Sequence, residues 1–229
     1  MNELRRLAGV LAALTLAGCS SSGSAKADGG TDPTGPLLPW KIGNTWTYRV
    51  TEASDVSTKT TTIGEVEAVG GVGMSAETMA NKVVTRKKDD TDQTVFWASD
   101  LGNRVVRYRE QSYAASTGMP NGDAYWEPYK VTVDWSPANI VDSMTWLEIY
   151  RETKVPESGV ADMTVEKRDL WSVIGTKESV TVPAGTFDAI VFQKVGGSTK
   201  SFWFVPGIGK VKETGDNQVE ELMSYTIVP

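Results

Sequence analysis

The chain has no histidine and a single cysteine, which removes most of the chemistry that 229 residues could carry. Without an imidazole there is no Ser-His-Asp or Cys-His relay, no histidine-ligated zinc and no ordinary general base near neutral pH. No glycine-rich phosphate cradle of the GxGxxG or GxxxxGK[ST] type occurs. Carboxylates remain, and two at a suitable separation suffice for a glycosidase. Here, however, the acids fall on the polar phase of strands or in turns, where solvation accounts for them. Asp89, Asp90 and Asp92 form the acidic cluster closest to a calcium loop. Their segment KDDTDQ lacks the glycine and the distant bidentate acid such a loop needs, so it reads as a solvated hairpin tip paired with Arg86, Lys87 and Lys88. No catalytic, cofactor-binding or metal-binding residue is assigned. Aromatic recognition is what remains: Trp126 lies in NGDAYWEPY, a polar stretch with Tyr125 and Tyr129 beside it. Exposed, such a loop binds a sugar, a peptide or a membrane surface. Folded back, it becomes a lid on the core, the commoner fate of large aromatics.

The lone cysteine has its own context. Residues 1–18 carry Arg5 and Arg6, then an apolar run from Leu7 to Leu16, then small residues. This pattern predicts a secretory signal peptide, since a bilayer-spanning helix needs about 20 apolar residues. It ends in Leu16-Ala17-Gly18-Cys19, which resembles the lipobox of bacterial lipoproteins. The resemblance implies cleavage before Cys19, diacylation of its sulfur and, usually, acylation of the new amine. Two or three acyl chains anchor stably where one is marginal. A single cysteine also allows no intrachain disulfide. Ser20 follows the cysteine, and in diderm bacteria the resemblance then implies passage to the outer membrane, facing periplasm or exterior. Residues 19–39 are dominated by Ser, Gly, Asp, Thr and Pro, which predicts a flexible tether with a mean reach of about 25 Å. The formal charge of −6 leaves no broad basic surface, so nucleic acid is not an expected partner, and membrane contact should rest on the lipid at Cys19.

Residues 40–229 are expected to form one β domain. Trp46, Tyr48 and Val50 alternate with Thr45, Thr47 and Arg49, the period of a half-buried strand. Similar alternation recurs to the end of the chain, broken by Pro-Ala-Gly, Gly-Gly and Pro-Gly turns, and no apolar pattern supports a helix of ten residues or more. The expectation is an antiparallel meander of about twelve strands, because such short connections cannot make parallel crossovers. A sheet that wide should curl into a half-barrel or split into two layers. The stretch 180–213 also has a degenerate earlier copy. SAETM at 75–79 resembles PAGTF at 183–187, Phe96-Trp97 matches Phe202-Trp203, Val105 matches Val211, and Thr45-Trp46 matches Thr145-Trp146. These matches suggest two pseudo-repeats, 40–137 and 138–229.

The combination of PWKIGNTWTY, VTVPAGTFDAIV and FWFVPGIGKVK resembles a set of uncharacterised β-rich bacterial lipoproteins. Their shared features are a Gly-x-x-Trp-x-Tyr opening, a Pro-Ala-Gly-Thr-Phe turn and a Pro-Gly-x-Gly turn. The resemblance implies a curved antiparallel sheet, similar to the half-barrel of periplasmic lipoprotein carriers, and no known catalysis. Two functions then compete, and the first of them is the preferred reading. A non-catalytic envelope scaffold contacting protein or glycan predicts a filled core and an exposed loop around Trp126. A carrier or sensor of an apolar ligand or lipid predicts a concave face with more inward apolar side chains than a core can pack. A carboxylate-dependent hydrolase ranks behind both.

Overall fold

The computed structural model describes residues 35–87, 92–114, 117–157 and 164–229, with the Asp92 side chain left out. The expected signal peptide, Cys19, most of the expected tether, Asp89 and Asp90 lie outside the described residues, as does the side chain of Asp92. Twelve antiparallel strands follow in chain order: β1 (Thr45–Glu52), β2 (Asp55–Ala68), β3 (Met79–Lys87), β4 (Asp92–Asp100), β5 (Arg104–Tyr113), β6 (Pro120–Asp134), β7 (Thr145–Pro156), β8 (Val165–Val182), β9 (Gly185–Val195), β10 (Thr199–Val205), β11 (Gly209–Gly215) and β12 (Gln218–Thr226). Among the described residues the one helical element is a three-residue turn at Pro137–Asn139, between β6 and β7. The expected all-β meander is present, and its curvature runs beyond a half-barrel to full closure. β1 pairs with β2 on one side and with β12 on the other, Thr45 opposite Thr226 and Glu52 opposite Gln218.

Local sequence explains the individual hairpins. Asp216 and Asn217 join β11 to β12 as a two-residue loop with φ of 53° and 61°, the left-handed pair that matches strand twist. Bends are placed by bulges. In β2 the register with β3 shifts between Ile63 and Val66, and there a Cβ on Gly64 would lie 2.7 Å from the Lys82 carbonyl oxygen.

The four matched pairs of the sequence fall six strands apart in this barrel. Trp46 opens β1 and Trp146 opens β7, while the SAETM and PAGTF segments lead from β2 to β3 and from β8 to β9. Phe96-Trp97 and Phe202-Trp203 occupy β4 and β10, and Val105 and Val211 are fully buried in β5 and β11. The tryptophans keep equivalent partners too. Trp97 donates to Glu67 of β2 at 3.0 Å, and Trp203 donates to Glu178 of β8 at 3.1 Å.

An eight-stranded barrel is just filled by its own side chains, and a wider one is not. The end of this twelve-stranded barrel that holds the starts of β1, β7 and β11 is filled by aromatic and branched residues, with Trp46, Trp171, Phe192, Phe204 and Leu222 in one core. The segment before β1 is packed into that end. Leu37 and Leu38 are buried in the core, and the Gly207 N–H bonds the Pro36 carbonyl at 2.9 Å. Asn44, fully buried, fastens both termini: its Nδ2 donates to the Pro39 carbonyl (3.1 Å) and its Oδ1 accepts the Val228 N–H (2.8 Å).

A charged cavity inside the barrel

Inward residues change character along each strand. On β8 the lumenal series runs Lys167, Asp169, Trp171, Val173; on β10 it runs Lys200, Phe202, Phe204; on β2 it runs Lys59, Thr61, Ile63. Because β2, β8 and β10 run in the same direction within the antiparallel meander, all three series place charge at one end of the barrel and apolar groups at the other. A cavity of about 450 Å³ spans the change. Its deep wall includes Trp171, stacked on Phe202 with centroids 5.7 Å apart, and its upper wall is lined by lysines, arginines and acids.

Nearly every charge there is matched. Lys210 lies beside Glu213 and 2.8 Å from Glu220, and Glu220 also binds Lys59. Burial pushes the Glu220 carboxyl up, but Lys210 and Lys59 outweigh it and hold the group at about 2. Burial likewise works against charge on Lys210, yet Glu213 and Glu220 carry its pKa well above the usual lysine range. On the opposite wall Lys194 bonds Asp169 at 3.1 Å, and Asp169 also accepts the Tyr150 hydroxyl at 3.1 Å. Lys167 pairs with Glu152 (3.4 Å), Arg168 with Glu166 (2.8 Å), Lys200 with Asp216 (3.2 Å), and Arg107 with Glu110.

Lys130 is the exception. Among the described residues no carboxylate lies within ion-pair distance of it; its ammonium sits instead 5.0 Å from the Trp126 ring centroid and 5.8 Å from that of Tyr150. Burial, then Lys194, then Arg107 push its pKa down to about 8.

Glu148, just below, is the buried carboxyl whose pKa is raised, chiefly by burial. The β6–β7 ladder ends at Glu127 opposite Arg151, next to Pro128, which has no N–H to continue it. Glu148 takes over there: one oxygen accepts the Val131 N–H at 2.5 Å and the other accepts the Trp171 indole N–H at 2.8 Å. Both oxygens are occupied in holding the wall together.

The aromatic trio singled out in the sequence is divided among surroundings. The NGDAYWEPY stretch forms part of β6 and is not a loop, because each of its charged side chains finds a partner on a neighbouring element. Trp126 points inward, 3 % exposed, and its indole N–H donates to Glu152 at 3.1 Å. Tyr125 points outward but is buried beneath the 69–78 segment, where a Cβ on Gly71 would overlap its hydroxyl. Arg109 lies over both Tyr125 and Trp97 and bonds Asp123 at 2.9 Å and the Val69 carbonyl at 3.0 Å, which ties that segment down. Tyr129 is half-buried, edge-on to Tyr108 with centroids 6.4 Å apart. The three therefore form no common exposed surface. The residues missed at the sequence level are the lumenal lysines. Their one visible signal is that Lys59, Lys167 and Lys200 share strand phase with buried aromatic or branched residues.

No family model matches the chain, and no curated protein matches it. Two solved structures resemble it. One is described as an exported protein with a YmcC-like fold from Bacteroides fragilis NCTC 9343, with a TM-score of 0.47 and 12% identity over 83% of this chain and 98% of its own. The other is described as a lipoprotein from Parabacteroides distasonis ATCC 8503, with a TM-score of 0.46 and 14% identity over 84% of this chain and 99% of its own.

Proposed function

We propose that this chain is a non-catalytic lipoprotein of the bacterial envelope, held to the outer membrane by acyl chains on Cys19, whose barrel carries or senses a small amphipathic ligand. The observation that carries this reading is the cavity of about 450 Å³, aromatic at depth and charged above, within the size range of small-molecule sites. A scaffold without a ligand calls for a filled interior and an exposed aromatic loop, and Trp126 instead lines the inside of the wall. The acids bear on the hydrolase reading. Among the described residues lining the cavity, Asp169, Glu152 and Glu213 each face a lysine, and Glu148 has both oxygens engaged, which favours the non-catalytic reading over the hydrolase.

A substitution that fills the lumen tests this directly. Thr61 and Thr85 line the cavity and share a hydroxyl hydrogen bond of 3.1 Å. Thr85→Trp places an indole in that space. Binding of cis-parinaric acid methyl ester, followed by its fluorescence, should weaken at least about tenfold, a difference of 1.4 kcal/mol. The outward, exposed Thr181 supplies the control: Thr181→Trp should leave binding unchanged. Equal binding by both variants would move the ligand out of the barrel.

A further inference from the structure

Lys130 presents an unusual arrangement. It faces the cavity from β6 with Arg107 of β5 opposite it in register, Lys194 of β9 acting on it across the lumen, and the rings of Trp126 and Tyr150 against its ammonium. The acids that also act on it, Asp169 of β8 and Glu110 of β5, are paired with Lys194 and Arg107. Aromatic faces compensate part of the desolvation of an ammonium. A buried charge nevertheless ordinarily has a carboxylate partner, as every other cation lining this cavity has among the described residues. The missing negative charge has room beside the ammonium, because Lys130 lines the cavity.

We infer that the ligand is an amphiphile with one anionic head group, a carboxylate, seated against Lys130 between Arg107 and Lys194, with its apolar body on Trp171 and Phe202. This deepens the lumenal-binding reading and rests on it. A single charge is specified because, among the described residues, the wall has one uncompensated cation; a phosphate monoester dianion would bring a second charge with nothing there to neutralise it. The site also carries a pH dependence of definite sign. A bound anion favours the charged lysine, so affinity is full while Lys130 is already protonated and falls as pH rises through about 8.

The test uses the full chain carrying Cys19→Ser, so that no acyl chain is attached, and compares cis-parinaric acid with its methyl ester. At neutral pH the acid should bind at least about tenfold more tightly than the ester. Well above pH 8 that preference should shrink. In Lys130→Met the two probes should bind alike, the preference for the acid being lost. If Lys130→Met fails to fold, the acid-to-ester ratio across pH in the otherwise unaltered wall decides the matter. Equal binding of acid and ester at neutral pH would overturn the anionic head while leaving lumenal binding standing. Binding of neither probe would overturn both.

Discussion

Trp171→Ala should destabilise the barrel by about 3–5 kcal/mol, the range for truncating a large aromatic in a packed core. Trp171 is 1 % exposed and lies between two other rings, stacked on Trp146 at 5.8 Å and 3° and on Phe202 at 5.7 Å, with Phe192 edge-on at 6.5 Å. Its loss opens a void where the aromatic floor meets the cavity, and nothing adjacent can collapse into it, because β7, β8, β9 and β10 are fixed by their ladders. The indole N–H also leaves Glu148, removing one of the two donors that satisfy a buried carboxyl. Trp171→Phe keeps the stack and loses the donor, so it should cost less. Urea denaturation checks this as a lower midpoint at unchanged slope for both variants, larger for alanine. A loss below about 1 kcal/mol for alanine, no more than the average point substitution, would mean that the stack does not hold the floor.

Glu220→Ala should cost about as much, roughly 3–5 kcal/mol, for a different reason. Glu220 is 3 % exposed and binds both Lys59 and Lys210. Removing it leaves two ammonium groups facing each other out of water, with Glu213 the one acid still beside Lys210. Glu220→Gln retains an acceptor without the charge and should fall between. The same triad sets an acid limit. The Glu220 carboxyl is held at about 2, below the unfolded value near ~4.3, so folding favours its ionised form. That contribution is complete above the unfolded value and is lost as pH falls toward 2. Stability measured across this window should decline steeply in the wild type and more shallowly in Glu220→Ala. Parallel curves would show that the triad is not the acid-labile element.

How much of this was legible in the sequence follows from which forces are local. Hairpins such as Asp216-Asn217 and the alternation of Trp46, Tyr48 and Val50 are set by neighbours in the chain, and these elements stand where the residues indicate. Closure was not legible, because the pairing of Thr45 with Thr226 joins opposite ends of the domain and leaves no local trace. The 121–129 stretch of β6 reads as a loop from its polar groups; those groups are held by Arg109 and Arg151, which lie elsewhere in the sequence. The extended segment at Leu37 and Leu38 is buried in the core at one end of the barrel, a long-range contact with no local signal. The lumenal charges are the hardest case. Asp169 stands two residues from Trp171 on one face of β8, and alternation cannot separate an acid facing water from one facing a lysine across a cavity.

The central claim, that the barrel encloses a ligand site, is tested most directly by native mass spectrometry. The full chain with Cys19→Ser, isolated from a bacterial envelope, should carry a stoichiometric adduct of small-amphiphile mass that organic extraction removes. The Thr85→Trp variant should lack that adduct. A clean ligand-free mass for the unfilled barrel, unchanged after incubation with cis-parinaric acid, would contradict the account.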